Sequence, residues 1–580
     1  MIRCPEEDFA DHVGFKLSND RISALNEVDN AEFSWFHFRV CLIAGVGFFT
    51  DAYDIFSINI ASVMMAFVYN SNGALAQTAI KAAAPIGTLI GQLLFGWLAD
   101  RIGRKRMYGI ELIIIIIGTF GQSLSANADI GTINIFAALI VWRIIMGLGI
   151  GGDYPLSAVI ASEFAAIHNR GKMMTAVFAN QGWGQLASTI IAIIIVSIYH
   201  NRFPSPDQPL SLDTPCTSPL LITSPTSPTC LLRNNIDQAW RILIGLGCVP
   251  AVLALYFRLT IPETPRFTMD IERNVKQAIN DIEQFLTTGR YAYDPDSVVV
   301  RVVAPRGSWR DFGMYFRRWE NWSVLVGCAY SWFAIDVIFY GLGLNTDKFF
   351  TALGFVTHLR GLTPCPNGDA QALNSDNTAN DVFRDFKNLI IANLLLSAVG
   401  LVPGYWATFL VIEKLGRKKI QMIGFGMLTV LFAIMGINSL FTITPSAKIF
   451  LFLFILASFF QNFGPNTTTF LLPGENFPTR YRSTCHGICA ACGKVGAIVS
   501  QFAFQDVSPK NVLLSYIAFT LTGGVTTYYL VKETSQETLE EISGEESSSF
   551  IHGALSVFKD FVRKKNLMDD VYYLVRTRTV

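Results

Sequence analysis

Apolar residues fill the chain in long runs separated by shorter polar stretches. Runs that reach the roughly 20 residues needed to cross a bilayer as a helix occur twelve times, near 38–68, 80–99, 107–126, 133–161, 174–199, 238–258, 322–343, 387–411, 419–440, 448–472, 485–505 and 511–531. The polar interruptions are rich in Pro and Ser at 201–236, long and charged at 259–321, and mixed at 344–386. The pattern predicts an all-α integral membrane protein with twelve transmembrane helices. It divides into an N-terminal segment (1–37), a six-helix half (38–258), a linker (259–321), a second six-helix half (322–531) and a tail (532–580).

Composition agrees with that reading. Of 580 residues, 51% are hydrophobic and only 16% charged, against about a quarter charged in soluble domains. The 45 Phe suit lipid-facing helices better than one aqueous core. Lys plus Arg and Asp plus Glu balance at 45 each, so nothing points to a nucleic-acid partner. The placement of the charges says more. Arg101, Arg104, Lys105 and Arg106 follow the second run, and Lys414, Arg417, Lys418 and Lys419 follow the eighth. Arg170 with Lys172 and Arg480 with Arg482 mark two more loops of the same side, while the loops after the first and third runs carry almost no positive charge. The positive-inside bias puts those basic loops, and both termini, in the cytoplasm, with the plasma membrane as the expected location. Residues 1–37 contain no apolar core of a cleavable signal peptide, so the first span is expected to act as its own address.

An internal repeat sharpens the architecture. "DRIGRKR" at 100–106 returns as "EKLGRKK" at 413–419, 313 positions later. Asp153, Glu163, Arg170 and Gln181 face Asn466, Glu475, Arg482 and Lys494 at offsets of 313, 312, 312 and 313. Two separate regions matching at one spacing imply a duplicated six-span unit, with 259–321 joining the copies. Both copies begin on the same side of the membrane, so the two halves are parallel and pseudo-symmetric.

Charged side chains inside spans cost roughly 2.5–3.5 kcal/mol each on insertion scales, so the few present are candidates for function. They are Asp51, Asp54, Glu111, Arg143, Asp153, Asp336 and Lys494. Any of them could also exist simply as a buried ion pair, and Glu111 with Arg143 fits that plainer role best. Trp332, Asp336 and Tyr340 are spaced i, i+4, i+8 and so share one helix face, as the wall of a cavity would. Burial disfavours the charged form of a carboxyl, so Asp336 can take up and release a proton. Lys494 is the Lys or Arg found well inside a span of the second half. Gly493 and Gly496 flank it, and are expected to leave room for something to approach its ammonium. It does not belong to a nucleotide-binding P-loop: five residues rather than four separate Gly487 from Gly493, and Val495 stands where Ser or Thr is needed. Direct drive by ATP is therefore not expected. The reading left is a buried cation for a small anion, with Asp336 as its titratable counter-charge.

Tyr154, Gln181 and Asn466 supply further hydrogen-bonding groups, a mixed set that suits the four oxygens of phosphate. Asp51 and Asp54, in "FFTDAYDIF", stand i, i+3 on one face; two such carboxyls resist joint ionisation and suit a proton relay, although one of them capping or pairing with a neighbouring helix is also open. No catalytic set of nucleophile and base is present, and no metal or cofactor is implied. Cys485, Cys489 and Cys492 lie on one apolar stretch and read as core. Cys216 and Cys230 share a long loop, where a disulfide is possible if that loop is extracellular.

Taken together, "GVGFFTDAYDIFSIN", "GIGGDYPLSA", "VFANQGWGQ", "WRILIGLG", "FRLTIPETPR", "FFQNFGPNTTTF" and "PTRYRSTCHGI" resemble the fungal-type inorganic phosphate:proton symporters of the major facilitator superfamily. The resemblance runs from about Gly45 to Ile542. It implies a phosphate site built from Tyr154, Gln181, Trp332, Asp336, Tyr340, Asn466 and Lys494. It implies a proton route through Asp51, Asp54 and Asp153, with Glu111 and Arg143 nearby. It also implies cytoplasmic gates in which Asp100, Arg101, Gly103 and Arg104, and Glu413, Gly416 and Arg417, work with Glu163 and Glu475. The linker is shorter than fungal members would lead one to expect, and the loops 201–236 and 344–386, with Cys365 in the latter, depart from the pattern. The tail sequence "FKDFVRKKNL" is read either as an amphipathic helix or as disordered. The expected function is import of inorganic phosphate with protons, with phosphate, protons and the lipid bilayer as the expected partners and no nucleic acid. A glycerophosphodiester or other organic-anion symporter and a sensor with little transport are the alternatives. A sugar facilitator is disfavoured by the intramembrane lysine.

Overall fold

The computed structural model of the protein describes residues 28–69, 74–126, 134–203, 207, 228–259, 263–270, 308–354, 378–437 and 446–543. Cys216, Cys365, most of the linker and the tail beyond residue 543 lie outside the described residues.

The first half consists of α1 (Trp35–Tyr69), α2 (Ala74–Ile102), α3 (Arg104–Leu124), α4 (Ile135–Phe164), α5 (Arg170–Arg202), and α6 (Pro228–Gly245) followed after a two-residue break by α7 (Cys248–Arg258). Two short helices, α8 (Pro265–Asp270) and α9 (Trp309–Phe316), belong to the expected linker. The second half begins with α10 (Trp319–Gly343) and the short α11 (Thr346–Ala352). Next comes α12 (Ala379–Leu395), which passes through a π-helical turn at Leu396–Leu401 into α13 (Val402–Leu415). Then follow α14 (Arg417–Ile437), α15 (Ser446–Asn462), α16 (Pro465–Asn476), α17 (Arg482–Ala503), α18 (Pro509–Leu530) and the short α19 (Leu539–Ser543).

These helices make the twelve expected passes. Among the described residues, ten helical stretches are long and apolar enough to cross a membrane. The other two passes are α17 and α18, each 22 residues long, about 33 Å at 1.5 Å per residue. Helix α17 is the more polar because its inner face carries Thr484, Lys494, Ser500 and Gln501 rather than lipid-facing side chains. The 35 residues of α1 span about 50 Å, well beyond the hydrocarbon core.

Small residues set the close contacts. Gly87 and Gly91 of α2 lie against the carbonyls of Ile144 and Leu148 on α4, and Gly147 and Gly151 of α4 lie against Ala84 and Thr88 of α2. A Cβ at any of these positions would strike the facing backbone, so the "GLGIGGD" run exists to let two helices touch. Between the halves, Gly96 of α2 meets Ser483 of α17, while α5 packs on α13 through Gly182 against Tyr405. The two seams, α2–α17 and α5–α13, are related by the pseudo-symmetry that the repeat implied.

Candidate functional site

The predicted substrate residues meet at the centre of the molecule, between the halves. Lys494 on α17 is 2% exposed. Its Nζ donates to Asp336 Oδ2 (2.9 Å) and to the Tyr340 hydroxyl (2.9 Å), both on α10. The ammonium also stands 4.8 Å from the Tyr154 ring centroid and 4.3 Å from that of Tyr340. Trp332 borders the same space, packing edge-on against His486 at 5.3 Å. Trp332, Asp336 and Tyr340 thus share a face, as their spacing predicts. Gly493 acts differently from expectation: a Cβ there would press on Trp332 and Asp336, and one at Gly496 would meet the Phe333 carbonyl. These glycines let α10 close on α17; they do not open a space beside Lys494.

Gln181 and Asn466 approach from opposite halves. Gln181 Nε2 donates to the Tyr154 hydroxyl (3.4 Å). Asn466 Nδ2 donates to Asn462 Oδ1 (2.7 Å) and to the Tyr405 hydroxyl (2.8 Å), and that hydroxyl in turn donates to Gln181 Oε1 (2.9 Å). Tyr405 on α13, which sequence reasoning missed, therefore links these two residues from behind the predicted substrate set. One tyrosine inside "VPGYWATF" carries no charge signal, and only the packing of α5 on α13 reveals its role. Phe178 and Phe470 stack at 4.4 Å and, with Phe48 (5.2 Å from each), form the apolar floor of the site.

A second ionic cluster lies in the first half and corrects the expected Glu111–Arg143 pair. Glu111 Oε1 accepts from Arg258 Nη1 (2.7 Å), and Asp153 Oδ2 accepts from Arg258 Nη2 (2.6 Å). Ser157 Oγ donates to the other Asp153 oxygen (2.5 Å), and the guanidinium lies 4.1 Å from the Tyr108 ring centroid. Arg143 instead donates to the Ile80 carbonyl (2.9 Å) and to Gln122 Oε1 (3.1 Å). Arg258 escaped sequence reasoning because it closes the sixth apolar run, where an arginine reads as an interfacial charge. Glycine at position 47 is required here, since a Cβ would collide with Arg258 and Asp153.

Asp51 lies between the two clusters. It is buried, and among the described residues neither of its carboxyl oxygens has a hydrogen-bond partner. Its charge acts on Tyr154 and Tyr340 on one side and interacts with Asp153, Arg258, Asp54 and Glu111 on the other. Asp54 points elsewhere: Thr119 Oγ1 donates to its Oδ2 (2.7 Å), and its other oxygen abuts Gly247 in the break between α6 and α7.

The repeated basic motifs close the cytoplasmic end through exchanged partners. Glu163 Oε1 accepts from Arg482 of the opposite half (2.9 Å) and lies 3.4 Å from Arg104 of its own. Glu475 Oε1 accepts from Arg170 of the opposite half (3.0 Å) and from Arg417 of its own (3.1 Å). Asp100 accepts from the Ser483 and Thr484 amides that start α17 (3.2 and 2.7 Å), and Glu413 from the Lys172 amide that starts α5 (3.2 Å). Carboxylates are favourable at helix N-termini, so each half caps a helix of the other. Gly103 (φ 115°) and Gly416 (φ 83°) take the positive φ that favours glycine, at the points where Glu263 caps the start of α3 and Glu533 that of α14. Glu263–Thr264 and Glu533–Thr534 are a repeated pair that sequence reasoning passed over, and Thr264 donates to Glu163 and Thr534 to Glu475. Arg101 stands outside this network: it is exposed and lies over the Trp97 ring at 4.5 Å.

At the opposite end, Lys81 Nζ of α2 meets Asp347 Oδ1 of α11 (3.0 Å), and Asn59 of α1 donates to the Gly343 carbonyl (3.2 Å). Among the described residues no cluster of His, Cys, Asp and Glu has the arrangement of a metal site.

Comparison with known proteins agrees with this architecture. The family model described as "Sugar (and other) transporter" matches residues 40–335 and 382–545. The repressible high-affinity phosphate permease of Neurospora crassa is 40% identical over 566 residues, covering 93% of this chain and 92% of its own. The inorganic phosphate transporter PHO84 of Saccharomyces cerevisiae is 39% identical over 568 residues, covering 92% and 89%. Among solved structures, the proton:xylose symporter XylE of the major facilitator superfamily matches with a TM-score of 0.61 at 18% identity, over 88% of this chain and 99% of that one. A partially occluded inward-open form of XylE from E. coli matches with a TM-score of 0.59. At those identities the structural likeness concerns the fold.

Proposed function

The chain belongs to the sugar (and other) transporter family of the major facilitator superfamily, and on that premise we propose that it imports inorganic phosphate together with protons by alternating access. It is a transporter and not an enzyme. The observation that carries the reading is Lys494: a buried ammonium between the halves, held by one carboxylate and one phenol, with Tyr154, Gln181, Trp332 and Asn466 around it. A buried cation costs several kcal/mol unless compensated. Asp336 supplies that compensation until an anion takes its place. A proton on Asp336 frees Lys494 for phosphate, which links proton uptake to anion binding without a separate device.

Protons then leave toward the cytoplasm through the first half. Asp51, Glu111 and Asp153 are three carboxyls around one guanidinium, Arg258, so the cluster can hold protons that its single cation does not replace. Asp54, close to Thr119, lies beside this route. The halves 38–258 and 322–531 rock about the central site, with the Glu163 and Glu475 networks opening for release and the Lys81–Asp347 pair opening for entry. The termini and linker are cytoplasmic and the membrane is the plasma membrane. The clustering of basic loops supports that orientation.

Competition tests the substrate directly. Labelled phosphate uptake should be displaced by unlabelled phosphate and left unaffected by glycerophosphoinositol. Displacement by the organic ester at similar concentration would move the assignment to the wider class of organic phosphates.

A further inference from the structure

We propose that Tyr405 is the residue that allows the carrier to return empty, by joining the phosphate-binding amides of the two halves to each other. The proposal rests on the phosphate reading of the central site. Gln181 belongs to α5 of the first half and Asn466 to α16 of the second. The Tyr405 hydroxyl sits between them, donating to Gln181 Oε1 (2.9 Å) and accepting from Asn466 Nδ2 (2.8 Å). A hydroxyl can do both at once, and the bond to Gln181 crosses the seam between the halves.

The ring is held so that the hydroxyl has little choice. Tyr405 is fully buried, packs edge-on against Phe178 at 5.7 Å, and lies so close to Gly182 that a Cβ there would come within 3.0 Å of it. Its backbone neighbour Gly404 presses on the Phe459 carbonyl, which fixes α13 from the other side. The phenol is aimed at the two amides by packing on both faces.

The consequence concerns closure without substrate. For the halves to close, every buried polar group at their seam must find a partner, or cost about 1–3 kcal/mol each. In the loaded carrier a phosphate oxygen can accept from the Asn466 amide and a hydroxyl of monobasic phosphate can donate to Gln181 Oε1. In the empty one, Tyr405 offers an acceptor to Asn466 and a donor to Gln181, while Asp336 answers the charge of Lys494. Net import requires the empty carrier to reorient in every cycle; exchange of phosphate for phosphate does not. Tyr405 therefore belongs to the return step, as a positioning residue that acts through Gln181 and Asn466.

The test compares net uptake with exchange in proteoliposomes containing the full chain. Tyr405→Phe removes one oxygen and keeps the ring, so the packing at Phe178 and Gly182 persists. The expected result is net labelled-phosphate uptake reduced on the order of tenfold, as loss of a buried hydrogen-bond partner implies, with exchange against internal phosphate kept within about threefold of wild type. Equal loss of both activities would overturn the proposal in favour of a direct or structural role. Unchanged net uptake would overturn it as well. If wild-type protein shows neither net uptake nor exchange of phosphate, the phosphate reading itself fails, and the proposal with it; that result is seen without the variant.

Discussion

The two buried ionic clusters differ in their charge balance. In the second half, one lysine meets one carboxylate, Asp336, and one phenol, so the cluster is neutral and its cation has a single charged partner to lose. In the first half, Arg258 holds Glu111 and Asp153 together while Asp51 stands near without a hydrogen bond of its own. A lysine is a compact charge on a flexible stem, and an arginine a rigid fork made for two partners. The first arrangement suits a cation that changes partners in each cycle. The second suits a fixed cation around which protons come and go. On the proposed reading, phosphate and its coupling proton meet at the Asp336–Lys494 pair, and onward proton release belongs to the Arg258 cluster, with Asp51 near both.

Breaking the first cluster should have the largest effect. Lys494→Ala leaves Asp336 without its cation and removes the charge for the anion, so labelled-phosphate uptake should fall by about a hundredfold or more. Asp336→Asn keeps the shape and removes the exchangeable charge; uptake driven by a pH gradient should be lost, and full uptake by this variant would remove Asp336 from the coupling. Arg258→Met attacks the second cluster by leaving two buried carboxyls uncompensated, a loss of about 3–5 kcal/mol in stability, visible as a lower unfolding midpoint in detergent. Adding Glu111→Gln and Asp153→Asn should restore much of that midpoint without restoring proton-driven uptake. The smallest change in stability belongs to Asp51→Asn, within about 1 kcal/mol of wild type because no hydrogen bond is removed, yet the pH dependence of uptake should flatten. A strongly destabilised Asp51→Asn would contradict its placement as an unpaired group.

The same contrast explains what could be read from the chain alone. Asp336, Tyr340 and Trp332 were legible because a helix turns periodicity into a face, and Lys494 because a lysine inside an apolar run has few explanations. The repeat made Glu163 equivalent to Glu475 and Arg170 equivalent to Arg482, but it did not say that each glutamate binds the arginine of the opposite half, as Glu163 does with Arg482 and Glu475 with Arg170. Pairing across helices within one half was not legible. Glu111 was paired with Arg143, and Arg258, its partner in the structure, went unnoticed because it sits at a span end. Tyr405 and Lys81 were missed for related reasons: a tyrosine in an apolar run looks like packing, and a lysine near a span entry looks interfacial. Gly493 was assigned the wrong purpose, because a missing side chain is read as space until the neighbouring helix is seen to fill it.

The central claim is that anion binding at Lys494 is tied to proton movement, and proteoliposomes holding the purified chain test it most directly. With an inward proton gradient, labelled phosphate should accumulate above its external concentration, and a protonophore should abolish the accumulation. Phosphate that only equilibrates, at the same rate with and without the gradient, would contradict the account.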